Sequence, residues 1–322
     1  MRKPLVLLGL LLILQQAMAQ EERQVFASLF GDELSIKGIA TIGLPVKSNI
    51  IPFQLNGGLI YFKAKLNGVS DTFVLDTGSP GLLLNEMADM KNENIFSAVG
   101  VNGGLNFQRK SGHTFEIGES LLFDVSSLSV NLSHLEKVKK QKFRGMVGHR
   151  LLERNELFLD YQNGIMRLLE GGGNEDIKGI VRSSSSPIKF QQHFAVLKVK
   201  IGKRTFHFGL DTGAEVNIID KRIAKWLPSK LFEKTETIKI RGVSEKGVGA
   251  DVGKISTCLI ADKEIKGMSF VVMDMTVLNE GKSVQLDGLL GYPFLSSGLF
   301  SIDYVEGVFY SWKKEEGVLG VK

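Results

Sequence analysis

Two short stretches carry the residue types best suited to chemistry: Phe73-Val74-Leu75-Asp76-Thr77-Gly78 and Phe208-Gly209-Leu210-Asp211-Thr212-Gly213. In each, an apolar run ends in an aspartate followed by Thr-Gly. One such motif could be no more than a polar junction between strand and turn, with the glycine supplying backbone freedom. Two copies at matching places in a repeated unit can instead meet face to face across a pseudo-twofold axis. A buried pair of carboxyl groups is unfavourable unless function retains it. Two close carboxylates cannot both ionise cheaply, so such a pair titrates as a coupled unit.

Other chemistries lack their residues. There is no Gly-x-Ser-x-Gly elbow for a serine hydrolase and no His-Glu-x-x-His run for zinc. The five histidines, at 113, 134, 149, 193 and 207, show no ligand spacing and read as surface or hydrogen-bonded residues. Phosphate-loop patterns are missing, and no metal or cofactor is expected. Cys258 is the single cysteine, which excludes an intrachain disulfide and suits a small buried hydrophobe.

The elements that must position the two aspartates repeat along the chain. The spacing of 135 residues between the Asp motifs (76 to 211) also relates Phe62-Lys63-Ala64-Lys65-Leu66 to Leu197-Lys198-Val199-Lys200-Ile201, both alternating as half-buried strands do. Further on, Gly145-Met146-Val147-Gly148 answers Gly288-Leu289-Leu290-Gly291 at a spacing of 143 (148 to 291), and Leu159-Asp160-Tyr161 answers Ile302-Asp303-Tyr304. A net insertion in the second half explains the change of spacing, so the chain is a duplication. Short β-type runs separated by Gly, Asn and Asp turns dominate, and helical signals such as Ile223–Leu227 are brief. The expected fold is mainly β, in two homologous lobes at 53–170 and 188–315, with 171–187 as a polar linker.

Composition places the chain among ordinary globular proteins, with 43% hydrophobic and 23% charged residues in 322. Met1-Arg2-Lys3, an apolar run from Leu5 to Leu14 and Ala17-Met18-Ala19 read as a cleavable signal peptide over 1–19. A retained anchor is the weaker reading, because the run is shorter than the ~20 residues a spanning helix needs. Residues 20–52 form an N-terminal extension whose Ile39-Ala40-Thr41-Ile42 run could add an edge strand. The expected location is outside the cytoplasm, whether periplasm, outer surface or medium. A formal charge of +5, or +3 without Arg2 and Lys3 (38 basic against 35 acidic), is too small to imply a nucleic-acid partner. The basic stretch Lys137–Arg144 reads as a solvated face.

With its two Asp-Thr-Gly triplets, Asp76-Thr77-Gly78-Ser79 and Asp211-Thr212-Gly213-Ala214, and the later Met146-Val147-Gly148 and Leu289-Leu290-Gly291, the chain resembles the aspartic peptidases, in particular two-lobed bacterial relatives of the retroviral-type enzymes. The resemblance covers nearly all of 58–312 and implies two retropepsin-like β-barrel lobes related by pseudo-twofold symmetry. It implies an endopeptidase in which Asp76 and Asp211 activate water against a peptide or protein substrate. It also implies that the Gly-terminated elements brace the Asp loops and that Thr77 and Thr212 hydrogen-bond between the loops. Gly78 and Gly213 are then expected to admit substrate backbone, and Ser79, with Ala214 opposite, to donate to Asp76 and keep it the more ionised carboxylate. Glycines at 100, 103 and 242 sit where a flap would close, though an ordinary surface hairpin fits them as well, and neither stretch carries a flap tyrosine. Both motifs lie in one chain, so a monomer is expected, with no stable membrane insertion after signal cleavage. A non-catalytic peptide-binding protein that kept this fold is the competing reading.

Overall fold

The computed structural model describes residues 6–7, 38–41, 50–86, 95–100, 103–172, 177–241, 248–279 and 285–315. The expected leader therefore lies outside the described residues except for 6–7. Among the described residues, no helix is long and apolar enough to cross a membrane.

The protein is mainly β, and its two lobes are built from the same parts in the same order. Lobe one begins with the hairpin Leu59–Leu66 and Val69–Leu75, and lobe two with Phe194–Ile201 and Arg204–Leu210. Alternation makes these strands. Lys63 and Lys65 point to solvent while Phe62, Ala64 and Leu66 are buried, and Lys198 and Lys200 repeat the arrangement. Asn67 and Gly68 turn the first hairpin at φ 51° and 78°, the left-handed pair that a two-residue β-turn requires. Each lobe then supplies a short strand (Leu82–Asn85; Ile218–Asp220) and a long hairpin (Gly103–Ile117 with Ser120–Val130; Val248–Ile260 with Lys263–Met273). A three-residue strand completes it (Gly145–Val147; Gly288–Leu290). Aromatic rings fill each core. Phe73 meets Phe115 edge to face at 5.1 Å in lobe one, and Phe208 meets Phe270 at 5.8 Å in lobe two. Cys258 is buried in the second core, and burial pushes its thiol up to about 11.

An antiparallel sheet joins the lobes. Its order is Ile180–Pro187, Val308–Lys314, Leu299–Asp303, Asn155–Asp160, Ile165–Glu170 and Ile50–Asn56. At the centre Leu157 faces Ile302, Phe158 faces Ser301 and Leu159 faces Phe300. At the repeat spacing of 143, Leu157 corresponds to Phe300 and Leu159 to Ile302, so these pairings exchange the lobes about an axis between Phe158 and Ser301.

Three expectations change here. Much of 171–187 is a strand and not a loose linker: Ile180–Pro187 is an outer strand paired only with Val308–Lys314. It looks polar because an edge strand exposes much of its surface, and Ser183 Oγ donates to the Ser311 carbonyl at 3.0 Å. The strand opening lobe one starts at Ile50, before the expected boundary. In the basic stretch, Lys139 ends the helix Ser133–Lys139 and turns its side chain away from solvent, where a carboxylate from the other lobe meets it. Gly38–Thr41 does pair with Ser120–Phe123, as the apolar run there suggested.

Candidate active site

Strand registry delivers the two aspartates. Gly145–Val147 lies between Phe73–Leu75, to which it is parallel, and Leu82–Leu84, to which it is antiparallel. In lobe two Gly288–Leu290 lies parallel to Phe208–Leu210, and its Gly288-Leu289 pairs antiparallel with Ile218-Ile219. From these central strands Val147 O accepts the amide of Asp76 at 2.9 Å, and Leu290 O accepts that of Asp211 at 3.1 Å. The glycines at the ends of both elements are obligatory on space alone. A Cβ on Gly145 would lie 2.3 Å from Leu83 O, one on Gly148 2.2 Å from Ser79 O, and one on Gly291 2.4 Å from Val216 O.

Across the interface the loops hold each other by a reciprocal set of bonds. Thr77 N donates to Thr212 Oγ1 at 3.0 Å, and Thr212 N donates to Thr77 Oγ1 at 3.0 Å. The two hydroxyls then donate to carbonyls of the opposite lobe, Thr77 to Leu210 at 3.3 Å and Thr212 to Leu75 at 3.0 Å. All four groups are buried, so each lost partner would leave an unsatisfied polar atom. The expected bridging by Thr77 and Thr212 is what the structure contains.

Gly78 N donates to Asp76 Oδ1 at 3.1 Å and Gly213 N to Asp211 Oδ1 at 2.8 Å. A Cβ on Gly78 would lie 2.6 Å from Asp211 Cγ, and one on Gly213 2.4 Å from Asp76 Oδ1. The described contacts therefore make these glycines the clearance for the opposite carboxyl, where the sequence suggested clearance for substrate backbone. Asp76 and Asp211 are 1% and 3% exposed.

Burial raises both carboxyls above the ordinary carboxylate range. Asp76 goes well above it, through desolvation first and the charge of Asp211 second. Asp211 rises to about 6, because hydrogen bonds from Gly213, Asp76, Gly78 and Ala214 offset part of its desolvation. The two side chains interact directly, so the pair holds one proton between them. The side-chain contact expected to favour a charged Asp76 is not formed. Ser79 Oγ donates to the Gly81 carbonyl at 3.4 Å and not to Asp76, and Asp76 Oδ2 has no protein partner. Ala214 is fully buried, its amide bonded to the Asp211 carbonyl at 3.3 Å and its carbonyl accepting from Tyr292 N at 2.8 Å.

Of the flap candidates, Gly100 and Gly103 face each other at the end of the hairpin Ile95–Gly100 with Gly103–Ile117. Gly242 lies outside the described residues. Three site residues had no signal in the sequence. Asn217 is fully buried and accepts from Gly291 N at 3.0 Å, tying the lobe-two brace to the strand it crosses. Lys139 and Glu215 form an ion pair between the lobes beside the Asp211 loop.

Residues 197–294 match the family model described as aspartyl protease, a span that includes Asp211-Thr212-Gly213 and Leu289-Leu290-Gly291. No curated protein matches the chain. Among solved structures the protein is similar to the crystal structure of basic 7S globulin from soybean, with a TM-score of 0.46 and 11% identity, covering 81% of this chain and 94% of that one.

Proposed function

We propose that the chain is an aspartic endopeptidase whose catalytic residues are Asp76 and Asp211. The observation that carries this reading is the buried carboxyl pair, one from each lobe, sharing a proton and held by reciprocal threonine bonds. A pair so held has one base and one acid poised at the same place, without further reorganisation.

One carboxyl of the coupled pair serves as base and the other as acid. The ionised member of the pair takes a proton from a water molecule as its oxygen attacks the peptide carbonyl. The protonated member hydrogen-bonds the carbonyl oxygen and gives it its proton as charge develops there, yielding a tetrahedral diol. Transfer of a proton to the amide nitrogen then releases the amine, and the C–N bond breaks. No covalent intermediate with the protein forms. Thr77, Gly78, Thr212 and Gly213 act by position, keeping the carboxyls close.

The rest of the proposal follows from the sequence. The substrate is a peptide or protein, the signal peptide over 1–19 directs export, and one chain, acting as a monomer, contains the whole site. Hydrolysis of a quenched fluorescent peptide library by the purified mature protein tests it. Turnover by wild type, loss of at least about a thousandfold in folded Asp76→Asn and Asp211→Asn, and inhibition by a pepstatin-type mimic are the expected results. Near-native hydrolysis by either variant would sink the assignment.

A further inference from the structure

Lys139, at the end of the lobe-one helix, forms its ion pair with Glu215 of lobe two almost out of solvent, the side chains being 7% and 8% exposed. Glu215 directly follows Ala214, within the loop between Leu210 and Ile218 that carries Asp211. A lobe-one turn makes room for the pair. Asn56 Nδ2 donates to the Lys139 carbonyl and to Gln141 Oε1, both at 2.9 Å, which fixes the end of the helix. Next to it Gly57, at φ +63°, leaves the space the pair fills. A Cβ there would lie 2.5 Å from Lys139 Nζ and 3.2 Å from Glu215 Oε1. Gly58 does the same for Tyr292, whose ring Cγ would be 2.7 Å from a Cβ, and Tyr292 N holds the Ala214 carbonyl at 2.8 Å.

The pair is also one-sided. At the repeat spacing of 135, Glu215 corresponds to Pro80, which carries no charge, so only the Asp211 loop is tied to the opposite lobe in this way. Desolvation costs a buried ion pair much of its attraction, and an apolar pair of similar volume is often as stable. Burial accordingly pulls the Lys139 ammonium down to about 8. What an ion pair supplies, and an apolar pair does not, is one direction and one distance.

We infer that Lys139 and Glu215 are positioning residues, a clamp between the lobes that sets the Asp211 loop, and with it the Asp211 carboxylate, against Asp76. This rests on the aspartic-peptidase reading above. It adds two residues that touch neither substrate nor reacting atoms but govern the geometry of those that do.

The test uses the mature protein in three forms: Glu215→Gln, Lys139→Met, and the apolar double variant Lys139→Met with Glu215→Leu. Each single variant should lower kcat about tenfold with KM changed less than twofold, and should move the backbone amide resonance of Gly213 while leaving that of Gly68, in a distant lobe-one turn, in place. The double variant should recover the melting temperature of wild type while kcat stays low, because packing is restored and direction is not. If kcat and melting temperature recover together in the double variant, the pair is a structural contact only and the clamp is wrong. Unchanged kcat in folded Glu215→Gln would also overturn it. The resonance of Gly213 keeps the two readings separable. A wild type that hydrolyses no peptide defeats the peptidase reading, while a Gly213 amide unmoved in both single variants defeats the clamp.

Discussion

At the scale of single residues, the site stores its reactivity as a stability cost. A carboxyl that titrates higher in the folded than in the unfolded chain holds its proton more tightly when folded. Stability linked to the pair is therefore full below the ordinary carboxylate value near 4 and declines as pH rises through about 6, where the pair begins to ionise. Asp211→Asn, neutral at every pH, should reduce this decline to the part that the buried Asp76 carboxyl contributes. Its melting temperature should exceed that of wild type above pH 6, by a free energy on the order of 1–3 kcal/mol, while peptide hydrolysis is lost. Melting curves of both proteins at pH 4, 6 and 8 check this, and parallel curves would show that the pair is not desolvated as described. Ser79→Ala gives the opposite kind of outcome. Its hydroxyl bonds Gly81 and not Asp76, so the acid limb of the pH–rate profile should stay where it is. A shift of that limb toward neutral pH would restore the role that the Ser79/Ala214 difference first suggested.

At the scale of elements, each Asp loop depends on a three-residue strand whose flanking glycines allow contact with backbone. Gly148 is the sharpest case, since a methyl group there would meet the Ser79 carbonyl at 2.2 Å, and backbone cannot yield as a side chain can. Gly148→Ala should cost about 1–3 kcal/mol by overpacking and displace the Asp76 loop. A loss in kcat of tenfold or more, with a native far-ultraviolet circular dichroism spectrum, is the expected result. Full activity in that variant would mean that the brace does not set the loop.

At the scale of the molecule, the joining sheet decides whether two half-sites become one. Its core holds Glu156, fully buried, which accepts from Ser301 Oγ and from Arg182 Nη2 at 2.8 Å, while Trp312 Nε1 donates to Ser301 Oγ at 2.8 Å. Arg182 also lies 4.6 Å over the Trp312 ring. These residues come from both lobes and from the strand that resembled a linker. Glu156→Leu removes the partner of Arg182 and the acceptor of Ser301, and should destabilise by about 2–4 kcal/mol in urea unfolding. An unchanged midpoint would make the network incidental. Because the sheet joins the lobes within one chain, specific activity should not fall on dilution. A steep loss tracking dissociation in sedimentation would show that the active species is an oligomer.

The sequence by itself determined the β character, the duplication and the identity of the two aspartates. Alternating Lys and apolar residues over 62–66 and 197–201 are local consequences of a half-buried strand, and Asp-Thr-Gly is legible because the same loop is written twice. The brace glycines were legible for the same reason. What only the tertiary structure decided lies where partners are far apart in the chain or where a loop's path aims a side chain. Lys139 reads as one more solvated cation until Glu215 meets it from the other lobe. Ile180–Pro187 has no apolar alternation because an edge strand buries too little to need one. The raised titration of the pair likewise belongs to the assembled interface, because desolvation and the neighbouring charge act on Asp76 and Asp211 only there.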